Sequence, residues 1–243
     1  MNKNWIILLG LFVIISSCAP KISTSIYKKY EALEYTEDVM IFGMEDTEPE
    51  NAEQLGTVKI GDTGFSTGCS FETVLEKAKI EARRIGGNAI KITEHTPPST
   101  WGSSCHRIKA NILRIENIKD YAVTAMSYNN SLVDADFALL HVYRPGGPGA
   151  LISFDLHLGD TVIGRVSNNW KETIKIDRDG FNTLWVRTET KTELSIHIQL
   201  GNEYYIRCSM GMGVFVGRPQ LEIVENTIGR MEFQAVAQKK NKK

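Results

Sequence analysis

Between residues 132 and 234 the hydrophobic period of this chain changes to two and stays there. The runs FALLHVY, ISFDLHL, TVIGRV, ETIKI, TLWVRT, ELSIHIQL, YYIRCSM and QLEIV are short and rich in β-branched and aromatic residues. Turn sequences such as RPGGPGA, DRDG, ETKT and GN separate them. Successive side chains of a strand point to opposite faces, so short alternating runs at this spacing predict an all-β, sandwich-like domain. In ELSIHIQL, Leu194, Ile196, Ile198 and Leu200 fall on one face, and Ser195, His197 and Gln199 on the other. In YYIRCSM, Tyr204, Ile206, Cys208 and Met210 share a face. That phase makes Cys208 a buried free thiol, acting as a small apolar side chain, since a reactive thiol needs an exposed, electropositive setting. Asp155, His157 and His197 lie on polar faces and would cluster only if their strands were neighbours; scattered surface polarity is the expectation.

Residues 38–118 read differently. DVMIF and LGTVKIG are strands, the second followed by the glycine-rich loop GDTGFSTGC. A helix then begins at Ser70, a suitable N-cap, with Glu72 at the positive end of its dipole. Phe71, Val74, Leu75, Ala78, Ala82 and Ile85 form one helical stripe, and Gly86-Gly87 ends it. NAIKI and CHRIKANILRI follow as strands, NAIKI as the parallel neighbour of LGTVKIG. The expected fold class is therefore α+β, a small split β-α-β-β domain followed by the sandwich.

In that arrangement Cys69, opening the helix, and Cys105, opening the last strand, lie at one end of the domain. An oxidising compartment would join them as a disulfide. The alternative is a metal site in which Cys69 and Cys105 are joined by His95 or His106, a transition-metal donor set with irregular spacing. With the disulfide formed, His95 and His106 are expected as exposed loop and strand residues, with no cofactor.

The segments LGTVKIGDTGFSTGC, ARRIGGNAIKI and CHRIKANILRI resemble the RcsF/YbjQ-like group of small bacterial α/β domains, some of them envelope lipoproteins. The resemblance covers about a third of the chain and implies the fold; the presence of only two cysteines in this domain departs from RcsF. ALLHVYRP, ISFDLHLGDTVIGRV and YYIRCSMGMGVFVGRPQLEIV resemble a bacterial β-domain family known only as a domain of unknown function, common in secreted and lipid-anchored proteins. Tyr143, Arg144, Arg218 and Pro219 are the matched positions. They are expected to support loops, with Tyr143, Arg144 and Arg218 as possible binding residues, and the glycines at 211, 213 and 217 read as a tight turn.

The address is written at the start of the chain. From Trp5 to Ile15 the sequence is apolar apart from Gly10, about half the ~20 residues a membrane-spanning helix needs. Lys3 precedes the run and Ser16 and Ser17 follow it, the pattern of a secretory signal. The ending ISSC resembles a bacterial lipobox, which implies cleavage before Cys18 and acylation of that residue; several chains hold a protein to a membrane where one does so only marginally. The expected organisation is a signal peptide over 1–17 and a lipid-anchored tether over 18–37, with packing of its YKKYEALEY stretch on the body as the alternative. The α/β domain over 38–118, a linker over 119–131, the β-sandwich domain over 132–234 and a basic disordered tail over 235–243 follow. By the same resemblance, Ala19 favours the outer membrane and a periplasm-facing body.

The full chain carries 28 basic and 29 acidic side chains, and loss of residues 1–17 removes only Lys3 from that balance. A near-neutral surface argues against nucleic acid, which demands a basic face. Asp62-Thr63-Gly64 matches the aspartic-protease tripeptide but has no second copy to share a proton, and the loop lacks the Gly-Lys-Ser/Thr ending of a P-loop. The expectation is a non-enzymatic envelope lipoprotein that binds or senses a protein or cell-wall partner.

Overall fold

A computed structural model describes residues 20–62, 69–99, 103–118, 135–211 and 217–236. The expected signal peptide, Cys18, the linker, Thr63 and Gly64, Gly213, and the tail beyond Val236 lie outside the described residues. Among those described, no helix is long and apolar enough to cross a membrane.

The chain is α+β and strand-rich. Its first unit is a five-stranded sheet built from β1 (Lys21–Ile26), β2 (Met40–Phe42), β3 (Ala52–Gly61), β4 (Ala89–Thr96) and β5 (Arg107–Ile115), in the order β1-β3-β5-β4-β2. Helix α1 (Phe71–Arg84) crosses one face, over a core that includes Val58, Ile60, Ile108, Ala110 and Ile112. Ser70 caps it by accepting from the Thr73 amide at 3.2 Å. Gly86, at φ +82°, ends the helix in a conformation that only glycine adopts easily, and a Cβ there would stand 2.6 Å from the Glu31 carbonyl.

β4 is not the direct neighbour of β3. β5 lies between them, antiparallel to both. A helix about 10 Å across spans roughly two strand spacings of ~4.8 Å, so the crossover leaves a slot. β5, returning from β4, fills it with Ile108, Ala110 and Ile112 under the helix.

The expected tether is also corrected. Residues 21–26 form edge strand β1, paired antiparallel with β3 from Lys21↔Gly61 to Ile26↔Gly56. The chain then follows the end of α1, with Tyr30 N–H donating to the Ile85 carbonyl and Leu33 N–H to the Arg83 carbonyl, both at 3.0 Å. Thr24, between Ser23 and Ser25, also reaches the helix, its hydroxyl donating to Glu81 at 2.7 Å.

The second unit is a pair of four-stranded sheets. One has the order β11-β10-β7-β8, from β7 (Phe154–Leu158), β8 (Thr161–Val166), β10 (Gly180–Arg187) and β11 (Lys191–Ile198). The other has the order β13-β12-β6-β9, from β6 (Ala138–Arg144), β9 (Trp170–Ile176), β12 (Glu203–Gly211) and β13 (Arg218–Val224). β6 and β12 run parallel. Their inward residues, among them Leu140, Val142, Leu156, Leu184, Ile198 and Ile206, share one core.

The last residues of the expected sandwich domain are not a strand. Asn226–Ala235 forms a second helix, α2, capped by Glu225, whose carboxylate accepts from the Thr227 and Ile228 amides at 3.0 and 3.1 Å. It lies on the outer face of β6 and β12 and reaches the first unit.

Candidate functional site

Helix α2 joins the two units. Gly229 lets its backbone lie directly on Tyr205 of β12. On one side Ile228 and Phe233 pack with Tyr143, Tyr205 and Val224. On the other Met231, 3 % exposed, enters the core of the first unit. Lys171 of β9 donates to the Phe233 and Gln234 carbonyls at 2.8 and 3.1 Å, a cation at the negative end of the helix. Arg230 and Gln234 reach Asp46 and Glu45 in the loop after β2, at 3.4 and 2.7 Å. Lys91 holds that same loop through the Gly43, Met44 and Asp46 carbonyls.

The residue between Met231 and Phe233 is Glu232, 1 % exposed. A carboxylate so buried must be paired. The Tyr143 hydroxyl donates to it at 2.6 Å, and Arg207 Nη1 to both of its oxygens at 2.8 Å. Arg207 also donates to Glu72 in the first turn of α1, at 3.2 Å, and to Glu222 of β13, at 3.0 Å. One guanidinium thus binds carboxylates from both units. His106 Nε2 lies 3.5 Å from Glu232, and its Nδ1 is 2.8 Å from His95 Nε2. The His95 ring stacks on Phe71 at 4.1 Å.

Burial sets the protonation of this group. It pushes His95 down to about 4, with the Met231 backbone pulling the other way. It pushes His106 down to about 3, aided by His95 and Arg207, so both imidazoles are neutral. Burial lifts the Glu232 carboxyl above its ordinary range, although Arg207 and Tyr143 oppose it. Burial, then Glu232, also lifts the Tyr143 hydroxyl far above its ordinary value. Arg207 is held charged because its carboxylates outweigh its desolvation.

Beside the network a cleft of about 610 Å³ opens between the units. The first unit contributes Cys69, Ser70, Pro98, Ser104 and His106; the second contributes Arg144, the Pro145–Pro148 loop and residues Arg207–Met210. Both walls are braced. Cys69 and Cys105 are disulfide-bonded, with Cα atoms 5.1 Å apart, and the His106 amide donates to the Cys69 carbonyl at 3.2 Å. Arg144, 1 % exposed, pins the opposite loop by donating to the Ile152, Gly149 and Pro148 carbonyls at 2.7, 2.8 and 3.3 Å.

These positions correct the expectations for His95 and His106. His106 is buried and His95 half-buried, because a helix from the far end of the chain covers residues that the first unit alone would expose. Tyr143, Arg144 and Arg218 do not form one binding surface. Tyr143 and Arg144 alternate on β6, one buried under α2 and the other on the sandwich side, while Arg218 is exposed at the start of β13. His157 stacks on Trp185 at 3.6 Å, His197 lies against Phe181 at 4.5 Å, and Asp155 pairs with Arg165 at 2.8 Å. β10 separates the two histidine strands. Cys208 is fully buried as a free thiol, as its phase on β12 implies. Among the described residues no group of three or more His, Cys, Asp or Glu side chains is placed to hold a metal ion.

Arg207, Glu232 and Glu72, the centre of the site, carry no motif. Arg207 reads as a polar-face residue of β12, Glu72 as a helix-dipole charge, and Glu232 lies after the last strand in a segment with no pattern of its own. Fold and site together define a disulfide-bonded α+β protein whose two units close on a C-terminal helix. Comparison of the chain with protein-family models, with characterised proteins and with solved structures finds no match.

Proposed function

We propose that the chain is a non-enzymatic envelope lipoprotein. In this reading Cys18 anchors it to the outer membrane, the body faces the periplasm, and the inter-unit cleft binds a segment of an envelope protein or cell-wall component. The observation that carries the reading is the chemistry of the cleft. Its volume of about 610 Å³ is that of a ligand site. Its charged floor is internally matched, with Arg207 shared among three carboxylates and the histidines neutral. A guest meets chiefly proline, glycine, serine and methionine surface, held between a disulfide and an arginine-pinned loop. Such a surface suits an extended chain held by shape and backbone hydrogen bonds.

The ISSC ending supports the anchor. The RcsF/YbjQ-like resemblance of the first unit and the likeness of the second to a family common in lipid-anchored proteins support the address. The alternative, metal binding by Cys69 and Cys105 with His95 or His106, requires the disulfide to be reduced.

A photo-crosslinking side chain at Ser209, in protein made in its native membranes, is expected to give discrete adducts with an envelope protein or a cell-wall fragment. The same side chain at the exposed Phe181, outside the cleft, is expected to give none. Equal, diffuse labelling from both positions overturns the binding cleft. An intact mass without an acyl chain on Cys18 overturns the anchor.

A further inference from the structure

The face of the first sheet opposite α1 carries an unusual set of charges. Directly paired residues of antiparallel strands point to the same side, and side chains alternate along each strand. Val58, Ile60, Ile108 and Ala110 lie under α1, so Lys59 and Lys109 point away from it. The two lysines are cross-strand partners, an arrangement that repels. Ser23 pairs with Lys59 on the other side, and Lys21, two residues before Ser23, joins the same face. Arg107 precedes Lys109 by two and pairs with Thr96. Lys21, Lys59 and Lys109 are exposed, and Arg107 is half-buried. Among the described residues in these registers the acidic side chain is Glu94, which pairs with Lys109 at 3.4 Å. Around these charges the face is small and polar, with Ser23, Ser25, Thr57 and Asn111; farther along β4 and β5 the same side carries the buried apolar residues Ala89, Leu113 and Ile115, so the basic patch is the β1–β3 end of the face.

β1 fixes where this face stands. It begins at Lys21, three residues after Cys18, so an acyl group on Cys18 lies within about 10 Å of the strand at ~3.3–3.6 Å per extended residue. The anchor therefore leaves from a corner of the basic face, with no long leash to carry it away. That distance is comparable to the ~8 Å screening length of physiological salt.

We propose that this face docks on anionic phospholipid headgroups of the leaflet that holds Cys18, so the first unit lies on the membrane with α1 turned away from it. The inference rests on the lipid-anchor reading. An acyl chain with a basic patch is a two-signal attachment, and the headgroup phosphates relieve the Lys59–Lys109 repulsion.

The test uses full-length protein extracted from native membranes. Its intact mass first reports whether Cys18 is acylated, which decides the anchor by itself. The protein is then reconstituted in vesicles of phosphatidylcholine alone or with phosphatidylglycerol, and lysine acylation by a water-soluble reagent is mapped by peptide mass. Lys21, Lys59 and Lys109 are expected to label several-fold more slowly with phosphatidylglycerol present, and the protection should vanish at high salt. Lys175, on the second unit, should not change. If the chain carries no lipid, sedimentation with the same vesicles still tests the face: each of Lys59→Gln and Lys109→Gln should weaken binding about fivefold. Equal labelling in both vesicles, or unaltered sedimentation of the variants, overturns the proposal. Protection seen in whole envelopes but not on phosphatidylglycerol overturns it in favour of an acidic protein or polymer.

Discussion

Gly229 of α2 lies against Tyr205 of β12 so closely that a Cβ on the glycine would stand 2.3 Å from the tyrosine Cβ. No side chain fits there without moving the helix. On an exposed helix, alanine in place of glycine gains about 1 kcal/mol. Here the overlap reverses the sign, and Gly229→Ala should destabilise the protein by about 1–3 kcal/mol, the usual cost of overpacking. Displacing α2 also withdraws Met231 and Glu232 from the first unit, so the loss should appear in both units. Urea unfolding followed by tryptophan fluorescence, and hydrogen exchange of β5, would report it; a variant of equal or greater stability would contradict the close packing.

The buried histidines make the join sensitive to acid. An imidazole ordinarily takes a proton near 6.5, but in the folded protein His95 does so only at about 4 and His106 at about 3. The unfolded chain therefore binds protons that the native state refuses, and stability falls as pH drops from about 6.5 toward 4. By about pH 5 each histidine should remove on the order of 2 kcal/mol. Glu232 acts in the opposite sense. Its raised carboxyl contributes stability that is present below the ordinary glutamate value and lost as pH rises through its folded value, which opposes the trend of the histidines. His106→Gln, measured by urea midpoints across this range, should flatten the profile. An unchanged slope would place the acid-sensitive groups elsewhere.

What could be read from the sequence follows from where each signal resides. The strands of the sandwich are visible because alternation is local, and α1 because its stripe, Ser70 and Gly86 lie within one short segment. β1 escaped because Ile22 and Ile26 are the only large apolar residues of KISTSI and an edge strand buries little. α2 escaped because a glycine and a glutamate, poor markers of a buried face, sit at its contact positions. The site itself is a relation between distant residues. Arg207 and Glu72 are 135 positions apart, and nothing in either neighbourhood announces the other. His95 and His106 look exposed until α2, far along the chain, is laid over them.

Cys208 tests the inward phase of β12. Burial pushes its thiol up to about 12, against the pull of nearby Arg144. Neither the proton nor the position favours attack, so iodoacetamide should leave it unmodified in the native protein and alkylate it once the chain is unfolded without reductant. Cys208→Ser places a hydroxyl among apolar neighbours and should cost about 1–3 kcal/mol. Rapid labelling of Cys208 in folded protein would show that β12 turns its other face inward.

The Cys69–Cys105 bond closes a sequence separation of 36 residues, for which the chain-entropy account gives roughly 3–4 kcal/mol. Its effect should extend beyond that loop. Cys69 immediately precedes the cap of α1, Cys105 immediately precedes His106, and Glu72 in the first turn of α1 holds Arg207 of the other unit. Reduction should therefore lower the melting temperature by roughly 10 °C and speed hydrogen exchange in α2, which the disulfide does not touch. Cys69→Ala with Cys105→Ala should reproduce both effects without reductant. If α2 exchange stays unchanged while the first unit loosens, the two units are not coupled through Glu72 and Arg207. If the reduced protein binds stoichiometric zinc and regains its stability, the metal-binding alternative holds instead, with His95 or His106 completing the ligand set.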